Sequence, residues 1–160
     1  MVVFDDITTD KGSTRKNEVK NCLIIEEPEL NLFPETQYEL VSHLSQNIAS
    51  RTGTGQMYYS NHLLLTTHSP YILTSLNNLM YAYQVGQEHV EEVNKIIDKK
   101  YWVNPDDVSA YRLMTDGTAK NIVDEELKQI DAGELDEISR SINAIWDKIS
   151  DIEFSRVTEN

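Results

Sequence analysis

The chain of 160 residues has a single cysteine, Cys22, which excludes an internal disulfide and any multi-cysteine zinc site. A reduced, cytoplasmic setting is the expectation that follows. Long apolar runs are missing too. The apolar stretches are as short as Leu23-Ile24-Ile25 and Leu63-Leu64-Leu65, far from the ~20 residues that a membrane-spanning helix needs. The first residues, Met1-Val2-Val3-Phe4-Asp5-Asp6, reach acid too early for the apolar core of a signal peptide. Basic residues are scarce, with 14 Lys+Arg against 27 Asp+Glu and a net charge of −13. Such a surface repels phosphate backbones and anionic membranes, so neither direct nucleic-acid binding nor membrane binding is expected of this chain. Only 6 glycines and 4 prolines are present, which excludes collagen-like repeats.

What is present suits one globular domain: 39% hydrophobic and 26% charged residues can enclose a core. The acidity is uneven. Residues 1–80 carry 9 acids and 5 bases, whereas residues 81–160 carry 18 and 9. The second half therefore reads as the more solvated region, and the chemistry is sought in the first.

Residues 5–21, polar and containing Gly12-Ser13-Thr14, read as a loose lead-in. Leu23-Ile24-Ile25 then runs into Glu26-Glu27-Pro28-Glu29. A short continuous apolar run suits a strand buried on both faces. Pro28 ends it and biases Glu27 towards extended backbone. Pro34 opens an amphipathic helix over about 34–50, with Val41, Leu44 and Ile48 on one side and Gln37, Glu39 and Gln46 on the other. A loop over 51–61 leads to a second strand ending in Thr66-Thr67. Ser69-Pro70 then caps a helix over 71–77. Residues 79–85 read as a third strand. Further on, Asn104-Pro105-Asp106-Asp107 opens a short helix, and Asp116-Gly117 is a hairpin turn. Leu135, Ile138, Ile142, Ile145 and Ile149 mark one face of a C-terminal helix. Cys22 reads as a small core residue, and Tyr101, Trp102 and Trp146 as core or rim aromatics.

Strand, helix and strand over 22–67 form a βαβ unit, whose strands are parallel and end on one edge of the sheet. Glu26-Glu27 and Thr67-His68 lie at those ends and so face a common crevice, the place where open α/β sheets bind ligands. Carboxylates there suit magnesium, a hard ion that keeps several waters. One acid can hold hydrated metal while its neighbour orients or deprotonates a water. A nearby imidazole can donate to a developing anionic oxygen. The set points to metal-assisted hydrolysis of a phosphate-containing substrate. Taken singly, Glu26-Glu27-Pro28-Glu29 also fits an acidic turn and His68 a helix-entry residue; the pairing across neighbouring strands favours chemistry.

At these residues the chain resembles a known family. Leu23-Ile24-Ile25-Glu26-Glu27-Pro28-Glu29-Leu30-Asn31-Leu32-Phe33-Pro34 is similar to the extended Walker B motif of ABC-type ATPases. The nearest branch holds bacterial AAA-type ATPases related to SMC, RecF-like and OLD-like proteins. Thr66-Thr67-His68-Ser69-Pro70 is similar to the switch, or H-loop, segment of that branch. The resemblance covers residues 22–85 and implies an α/β fold, a partial P-loop NTPase lobe of ABC type. Its parallel βαβ core has strands near 22–27, 62–67 and 79–85, followed by a C-terminal hairpin and helix. It implies ATP and Mg²⁺ as cofactors, Glu26 as the acid that holds magnesium through water, Glu27 as the catalytic glutamate, and His68 as the switch histidine on the ATP γ-phosphate. Phe33 departs from the histidine common before the proline, and Glu26 replaces the commoner aspartate.

A phosphate-binding loop, G-x-x-x-x-G-K-[ST], is absent: no lysine precedes a serine or threonine. The ABC signature, built on Ser-Gly, is absent as well. Both lie N-terminal to Walker B in the family. The expectation is therefore the C-terminal half of an ATPase head, inactive alone. Its partners are the missing N-terminal half and a second head. In domain terms, 1–21 is a lead-in, 22–123 the ATPase portion and 124–160 an acidic helical tail. The alternative is a degenerate, non-catalytic interaction module. A metal-dependent nuclease is disfavoured, because Asp106-Asp107 and Asp124-Glu125-Glu126 lack the strand-end Glu plus Asp-x-Asp pattern.

Overall fold

Apolar runs that begin and end in polar residues become strands here, and the Pro-opened segments become helices. In a computed structural model that describes residues 2–4, 18–49, 53–54 and 57–131, the chain order starts with β1 (Val2–Phe4), β2 (Glu18–Glu26), α1 (Pro34–Ala49), β3 (Gly53–Thr54) and β4 (Met57–Thr66). It continues with α2 (Pro70–Val85), α3 (Val90–Asn94), β5 (Val108–Leu113), β6 (Ala119–Asn121), β7 (Val123–Asp124) and β8 (Gln129–Ile130). Short 3-10 turns cover Lys99–Tyr101 and Pro105–Asp107, the second capped by the Asn104 side chain.

The parallel pair forms as expected, but β2 and β4 begin at Glu18 and Met57, so residues 18–21 and 57–61 are strand and not lead-in or loop. β2 and β4 run side by side, with Leu23 opposite Leu63 and Glu26 opposite Thr66. The main sheet has the order β2-β4-β1-β5-β6, with β3 also paired to β4. β1 lies between β4 and β5 and is antiparallel to both, so the sheet is mixed. It is a small α/β sheet with one parallel pair.

Helices α1 and α2 cover the face that carries Leu63 and Leu65. Those leucines, 2% and 1% exposed, join Val41, Ile72, Leu76, Leu79 and Met80 in the core. Burial of each such side chain contributes about 1.5–3 kcal/mol. Residues 79–85 are not a strand. They are the second half of α2, because Ile72, Leu73, Leu76, Leu79 and Met80 recur at helical spacing and are all buried, while Tyr81 is 55% exposed. A strand would have put Leu79 and Tyr81 on one face.

β2 also departs from expectation. It has a single neighbour among the described residues, so Leu23 and Ile24 are 53% and 61% exposed and the strand is not buried on both faces. Cys22 is exposed for the same reason, and is not a core residue.

The remaining elements brace α2. The carboxamide of Asn77 accepts from the Ile130 amide and donates to the Ile130 carbonyl, both at 2.8 Å. That seats the β7–β8 ribbon against the helix, so residues 123–130 are strand, turn and strand, not helix. Trp102 is buried, and its indole donates to the Ile97 carbonyl at 2.8 Å. The hairpin at Asp116-Gly117 forms as expected, with Gly117 at φ +86°. The C-terminal helix read at 135–149 and Trp146 lie outside the described residues. No described helix is long and apolar enough to cross a membrane.

Candidate functional site

Parallel pairing in register brings the C-terminal ends of β2 and β4 together, and the two following loops meet there. The Glu27 amide donates to the Thr66 carbonyl at 2.8 Å, extending the ladder one residue past β2. Glu27 has φ +44°, in place of the extended backbone expected before Pro28. Left-handed backbone costs a non-glycine residue about 1–2 kcal/mol, and such residues gather at functional sites. The hydrogen bond to Thr66 holds the residue in this turn. Leu30 and Leu32 close the loop by donating to the Glu27 and Glu29 carbonyls.

Glu27 approaches the loop that follows β4. His68 Nε2 lies 3.3 Å from Glu27 Oε1, with the imidazole 85% and the carboxylate 39% exposed. Two residues separated by 41 positions in sequence thus share one solvent-facing edge. Glu26 opposes Thr66 in the register and is exposed beside them.

Beneath this pair runs a continuous hydrogen-bond network. Glu29 Oε1 accepts from the Thr67 hydroxyl at 2.7 Å and from the His68 amide at 2.8 Å. Thr67 Oγ1 accepts from the Ser69 amide at 3.0 Å. Ser69 caps α2, its hydroxyl accepting from the Tyr71 amide at 3.2 Å and donating to Gln37 Oε1 at 2.6 Å. The other end of that carboxamide donates to the Leu32 carbonyl at 3.0 Å. Ser69 and Gln37 are both buried. Gln37 therefore does not sit on the solvent side of α1; it ties the loop before α1 to the start of α2. One polar atom of the network, Glu29 Oε2, is buried with no hydrogen-bond partner.

The sequence reading named Glu26, Glu27 and His68, and the structure gathers all three at one edge. It gave no role to Glu29, Thr67 or Gln37. The Ser69-Pro70 cap was the one local signal that this loop is held rigidly; the acceptors that hold it come from 32 to 39 residues away.

The donor set can be compared with what a metal needs. Among the described residues no three His, Cys, Asp or Glu side chains are placed to hold an ion. Magnesium, however, keeps several waters and takes one or two carboxylates plus substrate phosphates. An exposed strand-end Glu26 next to Glu27 fits the water-mediated side of such an arrangement.

A family model described as AAA ATPase domain matches residues 1–73. That stretch contains both strand-end motifs, and the match supports a P-loop ATPase-like domain there. Nucleotide and Mg²⁺ usage is a general property that this similarity implies. No curated protein and no solved structure matches the chain.

Proposed function

We propose that this chain supplies the water-activating edge of an ATP-hydrolysing head of the ABC/SMC/RecF/OLD-like kind, as its Walker B and switch-histidine portion. The observation that carries this reading is the 3.3 Å approach of His68 to Glu27 at the ends of two parallel strands. In this reading Glu27 orients and polarises the attacking water. Its left-handed backbone turns the carboxylate towards the loop that carries His68, and the partly exposed carboxylate is open to a water on its solvent side. His68 donates to the γ-phosphate oxygen that gains charge, an electrostatic contribution to the transition state. Glu26 would hold the hydration shell of a magnesium ion, whose chemistry there would be to neutralise phosphate charge.

The lysine and backbone cradle of a phosphate loop are supplied by another segment, since the sequence contains no G-x-x-x-x-G-K-[ST]. The partners are therefore a phosphate-loop-bearing half and a second head, in a cytoplasmic setting. The test is to join this chain to a segment that carries a phosphate loop of the same ATPase family and to measure ATP hydrolysis. Turnover should appear, and Glu27→Gln should remove it by about 10²–10⁴-fold while ATP stays bound. Unchanged turnover in Glu27→Gln removes Glu27 from the role.

A further inference from the structure

We propose that Glu29 is the positioning residue of this edge, setting where the His68 imidazole stands relative to Glu27. The proposal rests on the reading of Glu27 and His68 given above and adds a residue to it. A single oxygen, Oε1, gathers the Thr67 hydroxyl at 2.7 Å and the His68 amide at 2.8 Å. Carboxylate acceptors make the stronger class of hydrogen bond. The imidazole itself is 85% exposed, so the place of its backbone decides where the ring can reach. Glu29 thereby links the loop that presents Glu27, two residues earlier, to the loop that presents His68.

The second oxygen argues the same way. Oε2 is buried with no hydrogen-bond partner, an unfavourable position for a carboxylate atom. A leucine of similar size would remove that penalty and fill the space. What it would lose is the acceptor that draws Thr67 and His68 together. A group that is unfavourable for stability and central to the geometry of two loops has the character of a positioning residue.

The test uses NMR of the intact chain, with no nucleotide, so failure of the ATPase reading leaves its outcome untouched. Two signals are followed: the amide proton of His68, shifted downfield by its carboxylate acceptor, and the cross-relaxation between the His68 ring and the Glu27 side chain. In Glu29→Leu the amide should move upfield and the cross-peak should weaken severalfold, while the methyl signals of Val41 and Leu79 keep their positions. Glu29→Gln, which retains an acceptor oxygen, should restore the cross-peak. A Glu29→Leu protein with both His68 signals unchanged overturns the proposal. Should Glu29→Leu fail to fold, Thr67→Val, which removes one of the two donors, decides. A weaker cross-peak supports the proposal, and an unaltered one overturns it.

Discussion

His68 Nε2 stands 3.3 Å from Glu27 Oε1, although one residue lies in the loop after β2 and the other in the loop after β4. Three features produce the approach: in-register parallel pairing, a left-handed turn at Glu27, and a hydrogen-bond network under the loop after β4. The first two arise outside the loop of His68, and the third holds the His68 amide through an acceptor from the β2 side. The expected effects of disturbing this scaffold follow from the same contacts.

Ser69 caps α2 and also donates to the buried Gln37. Ser69→Ala should destabilise the chain by about 1–2 kcal/mol, the usual loss of a serine cap. Leaving Gln37 Oε1 unpaired adds to it. Urea denaturation followed by circular dichroism measures the change.

Residues 79–85 provide a direct comparison between helix and strand. Leu79→Ala should cost about 2–5 kcal/mol, since the side chain is wholly buried. Tyr81→Ala, at an exposed position, should stay within about 1 kcal/mol. Comparable losses at both would indicate strand alternation instead.

Gly86 ends α2 directly over the Trp102 ring. A Cβ there would collide with the ring carbons of Trp102 and with the Ala82 carbonyl. Gly86→Ala should therefore destabilise by about 1–3 kcal/mol through overpacking, and Trp102 fluorescence should report the displaced ring.

The Asp116 carboxyl is held below its ordinary range by the Thr118 hydroxyl, and then by the Thr118 amide. A group with a depressed folded-state pKa contributes stability above its unfolded value and loses it as pH falls through the folded one. The β5–β6 turn should therefore loosen on the acid side, seen as faster amide exchange at Thr118, and Asp116→Asn should abolish that pH dependence. Asp98 shares the direction through the Lys100 amide and then its ammonium group. Lys100, raised chiefly by Asp98, loses its part only as pH rises through its folded value. All three groups are exposed, so these effects are small beside those of the core.

Much of the site was legible in sequence because it depends on strand ends. Two apolar runs, a helix between them and acids or His at their termini define one edge whatever the details of packing. Helix α1 was legible from Pro34 and its apolar spacing. The second half of α2 was not: Leu79 to Val85 mixes aromatics with apolar residues, and tertiary burial of Leu79 and Met80 decided for helix. The exposure of Leu23, Ile24 and Cys22 depends on which strand lies at the sheet's edge, a fact no local pattern carries. The Glu29 and Gln37 contacts were hidden for the same reason, since their partners are set by the register of β2 on β4.

A chain that holds the water-activating edge without a phosphate cradle should bind nucleotide poorly by itself. Isothermal titration of the isolated chain with ATP and Mg²⁺ is the decisive measurement. No saturable binding is expected at micromolar ATP, because the carboxylates and His68 alone do not hold a triphosphate. Saturable, Mg²⁺-dependent binding in that range would contradict that expectation.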